Sequence, residues 1–432
     1  MSAERAPRGT QRSARRSAVS ARTRTGILAT IVAFGLIATG VGGYAAYALA
    51  QPLPAISPTV QPREPIATPE AIVALPSYGA AAIGEQDAPG TLLAGAEVDT
   101  TVPIASIAKV VTALVVLDAH PIDDGGEGAI ITLTAQDSQR VADYRAITGA
   151  TAPAPTGLEI SQRSIIELML VVSANNYADT LAVWAFGSVD AYVDAANAWL
   201  TAAGLAEVTV DDATGFSTAN AATPRALLDL ARLALDHPVV AETSAMSLIE
   251  VGGVGRFENR NPVLGVDGIT GMKTGTTNAA GSCLLFSATV DEAGEELRLV
   301  GVVLGGPTGA IVGEDVRTML ASVRDDYRRV TLAVRDELVV RYAAPWGDSL
   351  ELRVAEAASR VAWGAARSES VIRAPRLHPG EIPSAQEMIV QFGEEQVRVG
   401  LLWSGEISAP TLAWSLQEPL RRWGILPSDP VP

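Results

Sequence analysis

The sequence predicts a mixed α/β protein that follows a membrane-crossing segment and precedes a separate β-rich domain. Three observations carry this expectation: a charge-free run near the N-terminus, helical periodicity giving way to alternating strands, and strand-only texture from about residue 329.

At 432 residues the chain exceeds the usual size of one domain, and its 48% hydrophobic content supplies a sizeable core. The formal charge is −16; residues 1–25 hold seven arginines and one glutamate, so the remainder carries −22. That acidity argues against nucleic-acid binding. The lone cysteine, Cys283, excludes an internal disulfide, and its setting in Gly281–Phe286 reads as a buried strand. Each histidine precedes a proline (His120, His237, His378), which places all three in loops and argues against a zinc site or a histidine-based triad. No metal and no cofactor is expected.

Taken in order, residues 1–25 read as a basic cytoplasmic tail, and 26–50 as a membrane anchor by the positive-inside rule. A cleaved signal peptide competes, since Ala48-Leu49-Ala50 is a small-X-small site, but the apolar run exceeds the usual signal length. Residues 51–76 contain seven prolines and read as a stiff spacer. Folded structure is expected from Ser77, with strands at Tyr78–Ile83 and Thr91–Leu93 around a turn. A buried helix is expected over Ala105–Asp118, and further helices over 164–172, 177–186, 189–203 and 224–235. Residues 128–155 are turn-rich and give no clear element. An antiparallel meander is predicted from Gly271–Thr277, Leu284–Val290 and Leu297–Leu304, then a helix over 313–328. The core domain thus covers 77–328, and 329–432 form a β-rich domain with no visible chemistry.

The chemistry centres on Pro103–Thr112. Ser106, Lys109 and Thr112 recur at a spacing of three, one polar stripe on an otherwise apolar helix. Burial lowers the pKa of a lysine, which makes it a base able to activate a hydroxyl one turn away. Thr112 fits a helix contact deeper in the fold. Two further short motifs follow, Ser173-Ala174-Asn175 and Lys273-Thr274-Gly275, 67 and 167 residues after Ser106. The chain has only two lysines, Lys109 and Lys273, and both stand in these motifs. Arginine, used everywhere else, does not deprotonate in proteins.

Together these motifs resemble those of the D-alanyl-D-alanine carboxypeptidases, the low-molecular-weight penicillin-binding serine peptidases. The stretches Asp212–Phe216, Phe257–Asn261 and Asp267–Gly275 look like further landmarks of that family. The resemblance implies a five-stranded antiparallel sheet flanked by helices. It implies Ser106 as nucleophile, Lys109 as its base and Ser173 as proton relay. Asn175, Lys273, Thr274, Gly275 and Thr276 would bind substrate, and the Ser106 and Thr276 amides would form an oxyanion hole. If Lys273 lies near Lys109, its charge depresses the Lys109 pKa further.

The implied partners are a peptidoglycan stem peptide ending in D-Ala-D-Ala, β-lactam antibiotics, and the cytoplasmic membrane through the anchor, with the catalytic domain on its outer side. Asn176 stands where the family usually has aspartate, and the loop Gly305–Ile311 lacks the basic residue that many relatives carry there. A class A-like β-lactamase, or an inactive wall-binding scaffold, are the competing readings. Against the first, Val208–Asp212 offers aspartates but no glutamate.

Overall fold

The computed structural model describes residues 21–381, 384 and 386–427. Most of the arginine-rich tail, residues 1–20, lies outside the described residues. The described chain forms two compact units: one of residues 67–330 with 360–366, the other of the remaining segments, including the N-terminal helix.

The first unit is built on a five-stranded sheet in the order Ile269–Thr277, Gly281–Glu292, Glu295–Gly306, Ala80–Glu85, Ala94–Ala96. Every neighbouring pair is antiparallel. Because side chains alternate across a strand, the strand Gly281–Glu292 feeds two cores. Leu284, Phe286 and Ala288 pack with Val316, Met319 and Leu320 of helix Gly309–Asp325. Cys283 and Leu285 face the larger core, which holds helix Ala108–Ala119 and its helical neighbours. A sheet covered on both faces by helices is therefore stabilised by two apolar layers rather than one.

The expected buried helix is present but starts as a tighter turn: Ala105–Ile107 is 3₁₀, and Ala108–Ala119 is α-helical with ten buried positions. Thr112 makes the deep contact anticipated for it, its hydroxyl lying 2.8 Å from both the Tyr192 hydroxyl and the Ala213 carbonyl. The stretch 128–155, unassigned from sequence, contains helix Ala135–Ala146. Its start is fixed by a reciprocal cap in which Thr134 N–H donates to Asp137 Oδ2 at 2.7 Å and Asp137 N–H donates to Thr134 Oγ1.

The second unit carries a six-stranded antiparallel sheet: Pro58–Val60, Leu338–Ala343, Ser349–Val354, Glu395–Glu406, Gln386–Phe392, Ser368–Ile372. Part of the Pro-rich segment expected as a spacer is thus a paired strand. It sits at the sheet edge, where a proline without an N–H is tolerated. Arg63 ties the segment down, its guanidinium reaching Glu337 Oε1 at 2.9 Å, Ser370 Oγ at 2.9 Å and the Leu332 carbonyl at 2.7 Å. Helix Ala21–Leu49 belongs to this unit, and its 25 residues Thr25–Leu49 are long and apolar enough to cross a membrane. A C-terminal helix, Leu412–Arg422, was not anticipated.

Candidate active site

Three chain segments converge on one cleft of about 640 Å³. The turn Ala105–Ile107 supplies Ser106, and the break between helices Gln162–Leu170 and Asn175–Phe186 supplies Ser173 and Asn175. The edge strand Ile269–Thr277 supplies Thr274, Gly275 and Thr276. Both lysines lie beneath the cleft surface and are essentially without solvent exposure. All eight residues singled out from the sequence are therefore brought together.

Local backbone explains why each side chain is where it is. Ser173 holds φ +64 between the two helices, and this kink allows Asn175 N–H to bond the Ala150 carbonyl at 2.8 Å. Asn176, at the position where aspartate was the family expectation, is fully buried against the backbone of Ala152. Its amide accepts from that N–H at 3.2 Å and donates to that carbonyl at 3.1 Å, a double role no carboxylate performs.

The Lys109 ammonium has three N–H groups and three acceptors: Ser106 Oγ at 2.9 Å, Asn175 Oδ1 at 2.6 Å and the Thr214 carbonyl at 2.5 Å. Of these only the Ser106 hydroxyl is also a donor. When Lys109 loses a proton, the two amide oxygens keep its remaining N–H groups, and the lone pair is left facing Ser106. Burial pushes the Lys109 pKa down to about 7; the charges of Asp212 and Asp179 oppose this fall and that of Arg260 adds to it. An amine of that pKa is a competent base near neutrality.

Lys273 donates to Ser173 Oγ at 2.9 Å and to the Thr274 carbonyl at 2.8 Å. Burial holds its pKa well below the usual lysine value, and the charges of Lys109 and Arg260 lower it further. The two lysines repel, and the Lys109 charge lowers the Lys273 pKa.

Two contributors had no role assigned from sequence. The Asp212 carboxylate collects the backbone N–H groups of Thr214 at 2.7 Å, Gly215 at 2.6 Å and Ser217 at 2.6 Å. Burial alone would raise its pKa, but these amides hold it below the usual carboxylate value. The loop they fix delivers the Thr214 carbonyl to Lys109. Arg260 is exposed on the cleft wall beside Pro262 and is the charged residue among the described ones lining it. The loop at Gly309 and Ala310 reaches the same cleft without a cation, so its positive charge enters from the segment Phe257–Asn261 instead.

A serine bonded to a buried lysine, a second serine bonded to a second lysine and a strand laid along both define a serine peptidase of the penicillin-recognising class. Residues 76–308 match the model of the D-alanyl-D-alanine carboxypeptidase family, peptidase S11, and the chain belongs to that family. It is 29% identical over 225 residues to a D-alanyl-D-alanine endopeptidase of Pseudomonas aeruginosa, covering 49% of this chain and 67% of the relative. Over 278 residues it is 28% identical to the D-alanyl-D-alanine carboxypeptidase DacC of Escherichia coli, covering 62% of this chain and 66% of that one. An Escherichia coli D-alanyl-D-alanine endopeptidase is 30% identical over 201 residues, covering 45% of this chain. The match spans 61% of that relative, so the alignments reach about two thirds of these proteins or less.

The fold is shared with the Streptomyces K15 DD-transpeptidase, at a TM-score of 0.51 and 22% identity over 59% of this chain and 98% of that one. It is shared also with penicillin-binding protein 5 of Haemophilus influenzae, at 0.54 and 16% over 81% of this chain and 100% of that one.

Proposed function

We propose that the protein is a serine-type D-Ala-D-Ala carboxypeptidase that removes the terminal D-alanine from peptidoglycan stem pentapeptides. The observation that carries this reading is the Lys109 amine, 2.9 Å from Ser106 Oγ and poised near pH 7. Neutral Lys109 takes the hydroxyl proton as Ser106 Oγ attacks the scissile carbonyl. The backbone amides of Ser106 and Thr276 receive the developing oxyanion. Ser173, which accepts its bond from Lys273, keeps its own proton to give to the departing amine. Asn175 holds the substrate amide, while Lys273, Thr274 and Arg260 face the terminal carboxylate. Gly275 lets the substrate backbone lie against the strand. Water then opens the acyl-enzyme, and β-lactams stop at that stage.

The helix Thr25–Leu49 would anchor the chain in the cytoplasmic membrane with the cleft on its outer side. A second reading, endopeptidase, is favoured by two relatives that bear that name. It uses the same residues on a cross-linked substrate. The β-lactamase reading needs a carboxylate free to activate water. Asp212 is instead occupied by backbone amides, and Asp179 Oδ2 accepts from the Tyr144 hydroxyl at 2.7 Å.

The test is release of D-alanine from a defined pentapeptide, beside cleavage of a cross-linked muropeptide dimer, by the wild type and Ser106→Ala. Faster release from the pentapeptide supports the carboxypeptidase; faster cleavage of the dimer replaces it with the endopeptidase. Undiminished turnover by Ser106→Ala removes the assignment altogether.

A further inference from the structure

Helix Ala135–Ala146 ends beside the cleft in a contact that the acyl-transfer steps do not use. The Tyr144 hydroxyl donates to Asp179 Oδ2 at 2.7 Å, which joins this helix to helix Asn175–Phe186. A hydrogen bond to an ionised acceptor is among the stronger ones a protein makes. Asp179 lies four residues after Asn175, so the two side chains are neighbours on one helix face. Past Tyr144 the chain runs into residues 147–150, which line the cleft. There Gly149 N–H donates to the Tyr144 carbonyl at 2.7 Å. A Cβ on Gly149 would lie 2.9 Å from Asn175 Nδ2 and 3.0 Å from Tyr144 Cδ1, so the missing side chain lets the ring and the amide close on this backbone together. Tyr144 also meets Phe216 edge-on, 6.4 Å between ring centroids, and Phe216 is 42% exposed on the cleft wall.

The charges around this pair come from four elements. Burial raises the Asp179 pKa; the Tyr144 bond and the charges of Arg140 and Lys109 oppose the rise, and Asp212 adds to it. Arg140 is itself bound to Asp137 at 2.5 Å, on the same helix as Tyr144. Around Lys109, Asp212 and Asp179 favour the ammonium and Arg260 disfavours it, while Lys273 lies close enough to feel the Lys109 charge. Asp212 fixes the Thr214 loop through backbone amides. Of the two carboxylates, Asp179 is therefore the one whose charge can be removed without dismantling that loop.

We propose that Tyr144 and Asp179 are a positioning pair for acylation: their bond clamps residues 147–150 against Asn175, and the Asp179 carboxylate acts on the Lys109 ammonium from beside Asn175. Neither side chain lines the cleft, so both act through Asn175 and Lys109. The pair rests on the reading of Lys109 as the base of Ser106. Taking a negative charge away from an ammonium favours loss of its proton, so neutralising Asp179 lets Lys109 become a base at lower pH. Breaking the bond frees one wall of the cleft, and a misplaced wall slows the reaction at every pH.

The test is the rate of acylation of the full chain by a fluorescent penicillin between pH 5.5 and 9, a readout that does not depend on which peptide is the substrate. Asp179→Asn keeps an oxygen for the Tyr144 hydroxyl and loses only the charge. Its acid limb is expected to move down by about half a pH unit, so that its rate at pH 6, relative to its own plateau, is about threefold that of the wild type. The limb position is a ratio within one variant, so a smaller folded fraction does not move it. Tyr144→Phe and Asp179→Leu should each lower the plateau about tenfold, the size of a lost hydrogen bond to a charged group, and the double variant should fall no further than the worse single one. A limb of Asp179→Asn that stays in place or moves up overturns the pair, as do losses that multiply to about a hundredfold in the double variant. Undiminished labelling of Ser106→Ala overturns the proposed function instead, whereas Ser106-dependent labelling with unaffected variants removes only the pair.

Discussion

A Cβ placed on Gly275 would lie 2.8 Å from the backbone nitrogen of Ser106 and 3.0 Å from the Ala105 Cβ. The strand of the second lysine therefore presses directly on the turn of the nucleophile, closer than a side chain tolerates. Gly275→Ala should push strand and turn apart and misplace an oxyanion donor. β-Lactam acylation is expected to fall by a factor of about 10² to 10³. Stopped-flow acylation measures this, with near-wild-type thermal unfolding showing that the loss is local.

The acid limb of the pH–rate profile should report Lys109. Its pKa of about 7 means that the proton blocking it as a base is lost as pH rises through that value. At pH 6, kcat/KM for a pentapeptide should be about tenfold below its plateau, rising towards pH 8. Lys109→Arg, which cannot deprotonate, should lose a factor of about 10² to 10⁴ at every pH.

Arg260 is predicted to act twice. Its charge lowers the Lys109 pKa, so Arg260→Gln should move the acid limb to higher pH. Losing a cation opposite the substrate carboxylate should also raise KM about tenfold or more. A shifted limb without a KM change would assign it to electrostatics alone.

Thr112→Val keeps the shape of a side chain that touches no cleft atom but strands the Tyr192 hydroxyl and the Ala213 carbonyl. Stability should fall by about 1–3 kcal/mol in chemical denaturation, with the β-lactam acylation rate unchanged.

Arg63→Met removes the side chain that joins the Pro-rich segment to Glu337, Ser370 and Leu332. It should make residues 51–66 cleavable in limited proteolysis, while Ser106 acylation persists.

Much of this was legible in the sequence because its signals are local. The stripe Ser106–Lys109–Thr112 and the alternation through Leu284, Leu285 and Phe286 each specify a face without knowledge of the partner. The eight residues that the structure brings to one cleft stood out in the sequence because they belong to short motifs. Arg260 and Asp212 lie in stretches the sequence marked, yet their roles were not legible there, for the opposite reason. The first acts through proximity to a cleft formed by distant segments, and the second through backbone amides that every sequence possesses. Helix Ala135–Ala146 was signalled by Thr134 and Asp137, but aspartate replaces the more familiar glutamate of such a cap. The fate of residues 51–66 could not be read from proline content, since an edge strand and a free spacer share that composition.

The pairing of Pro58–Val60 with Leu338–Ala343 sets an order on biosynthesis. Apart from residues 360–366, the unit holding the serines and lysines is contiguous, so nearly all of it has left the ribosome once residue 330 emerges. The sheet containing Pro58–Val60 must wait until residue 406 is made, because its long strand Glu395–Glu406 comes last. Contacts so far apart in sequence close slowly. The unit that holds the cleft can therefore fold early and the β-rich unit only late, so a chain stalled in between carries a nearly complete first unit and an unfinished second one.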